Sequence, residues 1–156
     1  MDNNFVKDRA FKEPLLGIKE NVWKFTTQQR LDKFAPSTTS LFRLNANSTQ
    51  EFDNLSTEQR NNFFDTLLKE LSYAVPVPLS RLSTGKKAQL DNNQYLISVE
   101  IKDSKNENYM SVVSIIKYID IMVRHRDQTP IGLEGEVTRS YLDPSYGFKP
   151  SREYLR

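Results

Sequence analysis

The strongest periodic signal in the chain lies between residues 51 and 74. Leu55, Phe63, Phe64, Leu67, Leu68 and Leu71 fall on one face of a helical repeat, while Arg60, Asn61, Asp65 and Lys69 fall on the other. Ser56 with Gln59 forms a capping-box pattern, in which the serine hydroxyl accepts a backbone N–H and the glutamine reaches back to the cap. Pro76 cannot continue a helix. The spacing predicts a helix over 56–73. An earlier turn starting at Ser48 has the same offset to Glu51. Pro76-Val77-Pro78 predicts an extended connector, and 79–94 reads as a polar loop.

A different period governs the next stretch. Tyr95, Ile97, Val99 and Ile101 alternate with Ser98, Glu100 and Lys102, the pattern of a half-buried strand over 95–101. A polar turn, Asp103 to Asn108, separates it from 109–123, which is dense in Val and Ile. Such β-branched residues lose side-chain freedom in a helix, so strand is favoured and the pair reads as a hairpin. A strand of that length calls for a bulge or break near Lys117. The same stretch also fits a helix, because Ser111, Ser114, Lys117, Asp120 and Arg124 would form one polar stripe. Another strand is predicted at 134–142, after Thr129-Pro130 and Gly132. Shorter candidates are strands at 22–26 and 40–44, and a helix from Thr27 to Phe34 stopped by Pro36. The implied fold is α+β: a small single domain with an antiparallel sheet (95–101, 109–123, 134–142) packed on one main helix (56–73).

Both ends break these periods. Residues 1–21 contain Pro14 and Gly17, and 143–156 contain Pro144, Gly147 and Pro150, so neither supports long regular structure. We read them as N-terminal and C-terminal arms around a core domain at 22–142. The arms carry Phe5, Phe11, Leu15, Tyr146, Phe148 and Tyr154. Each large apolar side chain left in water forgoes roughly 1.5–3 kcal/mol of burial. The arms are therefore expected to dock, either on their own core or on a neighbouring subunit.

Composition adds exclusions. A chain of 156 residues is long enough for one domain with a real core. It has no cysteine, which removes disulfides, thiolate metal ligands and thiol nucleophiles. The start, Met1-Asp2-Asn3-Asn4, is polar and acidic, so no secretory leader is expected there. No run of apolar residues is long enough to span a bilayer, and no membrane association is expected. The triplets at Asn47 and Asn54 match the glycosylation pattern, but without a leader they read as chance. Net charge is +2 and well mixed, which argues against a dedicated nucleic-acid binder.

The candidate chemistry is sparse. His125-Arg126-Asp127 matches the start of a kinase catalytic loop, but Gly132 stands where that loop needs Asn, and no companion motif is present. His125 is the sole histidine, so a Ser-His-Asp arrangement or a histidine metal site would have to use it. Thr84-Gly85-Lys86-Lys87 resembles the end of a phosphate-binding loop, yet Ser80 replaces its first Gly and Lys87 its Ser or Thr. Arg81, Lys86, Lys87, Arg124 and Arg126 form a candidate phosphate or nucleic-acid contact. No catalytic residue, metal or cofactor is nominated.

The expected function is a non-enzymatic structural or assembly subunit of a larger complex, with protein partners that include copies of itself. A viral or phage particle component is one concrete form. The expected location is cytoplasmic or within an assembled particle. The alternatives are a nucleic-acid-binding accessory protein and a small enzyme built on His125.

Overall fold

In chain order, the first described strand is β1, Thr38–Arg43, where Ser40-Leu41-Phe42-Arg43-Leu44 had marked a candidate. Residues 37–106 and 108–151 are described by a computed structural model, and all belong to one unit, Asp32–Arg156. The expected elements at 22–26 and 27–34 and the arm at 1–21 lie outside the described residues.

Two helices follow β1. Helix α1, Ala46–Asp53, is capped by Asn45, whose side chain accepts the Ser48 N–H at 2.9 Å. The cap is therefore Asn45 and not Ser48, which instead donates its hydroxyl to the Ser140 carbonyl at 2.9 Å. Helix α2, Thr57–Ala74, has both halves of the capping box: Gln59 N–H donates to Ser56 Oγ at 3.2 Å, and Ser56 N–H donates to Gln59 Oε1 at 2.8 Å. Its buried residues are Phe63, Phe64, Leu67 and Leu71, the face the period marked.

The stretch expected as a polar loop contains two strands, β2 (Leu82–Ser83) and β3 (Ala88–Asp91). Strand β3 returns directly into β4, Gln94–Ile101, through a two-residue turn at Asn92-Asn93. Both asparagines have positive φ, 47° and 62°. A two-residue hairpin with matching twist requires that, and Asn is among the residues that tolerate it. The hairpin partner of 95–101 is thus on its N-terminal side, not at 109–123.

All strand pairs are antiparallel, in the order β2-β4-β1 with β3 also on β4. The register pairs Ser40 with Val99 and Phe42 with Ile97. One face therefore carries Phe42, Ile97, Val99 and Ile101 into the core, and the other carries Thr39, Leu41, Ser98 and Glu100.

Residues 109–123 are corrected from strand to helix. Helix α3 spans Val112–Arg124, and Ser111 caps it by accepting the Ser114 N–H at 3.1 Å. Val112, Ile115, Ile119, Met122 and Val123 are buried, which is helical spacing. Seven of its residues are β-branched, each costing up to roughly 0.7 kcal/mol of helix propensity, about 5 kcal/mol at most. Burying five large apolar side chains returns roughly 7–15 kcal/mol, so packing outweighs propensity.

Residues 134–142 are also helical in part. Pro130–Leu133 forms the single turn α4, and Val137–Tyr141 forms α5. The carboxylate of Glu70 on α2 accepts the N–H groups of Glu136, Val137 and Thr138 at 2.8–3.1 Å and the Thr138 hydroxyl at 2.9 Å. This cap comes from a distant helix. Only Leu142 keeps strand character, as an isolated bridge to Leu44.

The domain does not stop at 142. Strand β5, Lys149–Pro150, pairs with Ser40 and Leu41 of β1, and Phe148 is 2% exposed. The small α+β domain with an antiparallel sheet is as expected, but the strands expected at 109–123 and 134–142 are helical instead.

Candidate functional site

The segment after α5 meets α3 along the edge of the sheet. Asp120 holds the junction. Its carboxylate accepts the Phe148 N–H at 2.8 Å and the Arg124 Nε–H at 3.0–3.1 Å. Arg124 donates onward to the carbonyls of Ser145 and Tyr146 at 3.4 and 3.1 Å. Gly147 has φ 74°, and a Cβ there would run into the Asp120 carboxylate and the Arg124 guanidinium. Glycine is needed both for that backbone conformation and for the close approach. Phe148 then stacks on Phe42 with ring centroids 4.2 Å apart. Such a pair adds about 0.5–1.5 kcal/mol beyond area burial.

At the start of the same segment, Asp143 pairs with Arg43 at 2.8 Å. Burial pushes its carboxyl up. Hydrogen bonds from Ser145 and Arg43 outweigh that and hold it below the usual aspartate value.

Between α3 and the β1–β5 edge lies a groove of ≈ 470 Å³. Val113, Ile116, Phe148 and Pro150 give it apolar walls, and Lys117 and Lys149 stand exposed at its rim. The outer side of α3 is also apolar. Val113 is 37% exposed, Tyr118 57% and Ile121 58%. A helix of a monomeric domain ordinarily shows water a polar face. Here the polar positions Lys117, Asp120 and Arg124 are interleaved with an apolar patch.

The candidate arm residues have different fates. Phe5, Phe11, Leu15 and Tyr154 lie outside the described residues. Phe148 does not reach out to a neighbour: it stacks on Phe42 inside its own domain and shows only a small part of its ring to the groove. Tyr146 is half-buried, with the Arg43 guanidinium 4.9 Å and the Lys149 ammonium 4.5 Å from its ring centre. Residues 143–151 therefore dock on their own core, one of the two outcomes expected for the C-terminal arm.

The candidate phosphate contacts are not assembled into a bare patch. Arg81 is 6% exposed and donates to the carbonyls of Lys102 and Met110 at 3.0 and 2.9 Å. Lys86 pairs with Asp65 of α2 at 2.8 Å. Arg124 is held by Asp120, and Arg126 donates to the Leu142 carbonyl. Lys87 is exposed. Beside this loop a hollow of ≈ 300 Å³ is lined by Thr39, Ser83, Thr84, Gly85, Ser98 and Glu100. The charge it holds is a carboxylate, which repels phosphate.

His125 ends α3 as its exposed cap residue, and the nearby Asp127 carboxylate faces Arg126 at 3.7 Å. Among the described residues no group of three or more His, Asp or Glu is placed to hold a metal ion, and no helix is long and apolar enough to cross a membrane.

Sequence reasoning did not single out two organising residues, Asp120 and Glu70. Asp120 and Arg124 stand four apart, an ion-pair spacing legible on a helix once 112–124 is read as one. Glu70 left no local signal, because the backbone groups it caps lie beyond residue 135. No protein-family model, curated protein or solved structure matches the chain.

Proposed function

We propose that the protein is a non-enzymatic subunit of a larger assembly and that it contacts its partner through the outer face of α3. The observation that carries this reading is the exposed apolar patch of Val113, Tyr118 and Ile121, continuous through Val113 with the groove. Several large apolar side chains exposed along one helix, beside an apolar groove, suit an interaction site better than a solvated face. Tyrosine is also a favoured anchor in interfaces, because it buries a large area and still offers a hydroxyl to water. The nucleic-acid reading has less support, since Arg81, Lys86, Arg124 and Arg126 are engaged within the domain. The enzyme reading rests on His125 alone.

A photo-cross-linking residue in place of Ile121 tests the proposal in the cells that make the protein. A discrete adduct heavier than the 18.2 kDa chain is expected. Adding Tyr118→Glu should abolish the adduct, while the circular dichroism of the purified variant stays unchanged. An uncross-linked 18.2 kDa chain as the sole product would overturn the reading.

A further inference from the structure

The chemistry of the groove narrows what docks there, taking the assembly reading as its starting point. The groove's volume of ≈ 470 Å³ lies within the range of sites that take a defined ligand, about 300–1,000 Å³. Its walls are aliphatic and aromatic, from Val113, Ile116, Phe148 and Pro150. They offer burial to one or two large apolar side chains and little to a polar one.

Among the described residues, the charge around the rim is one-sided. Lys117 stands on one bank and Lys149 on the other, both exposed. The Lys149 ammonium lies over the Tyr146 ring, which fixes its position beside the groove. Asp120 is the acid among the lining residues, and its two oxygens are occupied by Arg124 and the Phe148 N–H. The Asp120–Arg124 pair is close to neutral as a unit. The two lysines therefore leave the rim positive.

A positive rim over an apolar floor selects by charge. A second copy presenting this same face would bring like charges together, which costs free energy at an interface. A basic segment would be repelled in the same way. From these observations we infer that the groove binds an acidic peptide segment of another polypeptide. The segment seats one or two large apolar side chains between Val113, Ile116, Phe148 and Pro150, and its flanking carboxylates meet Lys117 and Lys149.

Fluorescence anisotropy on the full chain tests this with two labelled peptides. One alternates Glu with Leu and Phe, and the other carries Lys in place of every Glu. The acidic peptide should bind, and the basic one should bind at least about tenfold more weakly. Val113→Glu should abolish binding of the acidic peptide. Lys117→Glu with Lys149→Glu should weaken it by about tenfold and reverse its salt dependence, so that added salt no longer weakens binding. Circular dichroism checks that each variant keeps its fold, and both changes lie at exposed positions.

Equal binding of the two peptides, or affinity unchanged by the double charge reversal, would overturn the inference. So would binding that appears only after residues 152–156 are deleted, because the occupant would then be the chain's own C-terminus. A concentration-dependent rise in mass that Val113→Glu abolishes would assign the groove to a second copy and overturn it as well. If the Ile121 cross-link persists while the acidic peptide fails to bind, the partner chemistry is wrong and the assembly face stands. Loss of both removes the assembly reading too.

Discussion

Helices α2 and α3 bury comparable apolar faces, yet one is plain from its residues and the other is disguised. In α2 every local rule agrees. The capping box closes at Ser56 and Gln59, the apolar period is helical, and Leu67, Leu68, Lys69, Glu70 and Leu71 in its second half tolerate helix well. In α3 the apolar period is helical but the residue types are those of strands, seven of them β-branched. Local preference and pattern disagree there, and the pattern prevails. The difference teaches that propensity decides little once an element has a core to bury against.

The second contrast is in the outer faces. The side of α2 away from the core carries Arg60, Asn61, Asp65 and Lys69, with a single exposed aromatic, Tyr73, near its end. The corresponding side of α3 keeps Val113, Tyr118 and Ile121. A helix used purely for packing needs one apolar face, and α3 has a second.

The largest expected effect tests whether the two helices are equal members of the core. Leu67→Ala in α2 and Ile119→Ala in α3 remove fully buried side chains, and each should cost about 2–5 kcal/mol in denaturant unfolding. A small loss for Ile119→Ala beside a full loss for Leu67→Ala would break the comparison.

A smaller effect compares the caps. Ser56→Ala and Ser111→Ala each remove one side-chain acceptor for a backbone N–H, and each should destabilise by about 1 kcal/mol. Ser56→Ala also dissolves a two-bond box. A greater loss at Ser56 than at Ser111, read from shifts in thermal midpoint, would sharpen the contrast between a reinforced helix start and a simple one.

The smallest effect concerns the segment that closes the groove beside α3. Asp143 binds its proton less tightly when folded than an ordinary aspartate does. Its contribution to stability is therefore present above the unfolded aspartate value, about 3.9, and is lost as pH falls through the lower folded value. Asp143→Asn should destabilise the protein at neutral pH, and the difference from wild type should shrink below about pH 4. A difference that holds constant down to pH 2 would show that the carboxylate charge plays no part in docking this segment.

Much of the fold was legible because it is written locally. The α2 face, its cap and its end at Pro76 follow from neighbouring residues, and so does the alternation of β4. The Asn92-Asn93 turn is equally local, but polarity alone reads 79–94 as loop and hides the two strands in it. The site was less legible. Its exposed patch follows from the helical reading of α3, but its second wall comes from residues 148–150, which had been assigned to an arm.

What the residues alone determined is the class of domain: an α+β chain with one dominant capped helix, a sheet carrying the Ile97-Val99-Ile101 face, and no thiol chemistry. Tertiary structure decided the rest. It turned a Val- and Ile-rich stretch into a helix, because burying five side chains outweighs their loss of rotamer freedom. It made α5 possible by bringing the Glu70 carboxylate to three backbone N–H groups. It also drew Phe148 onto Phe42 through Gly147, since the Asp120–Arg124 pair leaves room there for no larger residue. None of these partners is near its counterpart in the chain, and only folding brings them together.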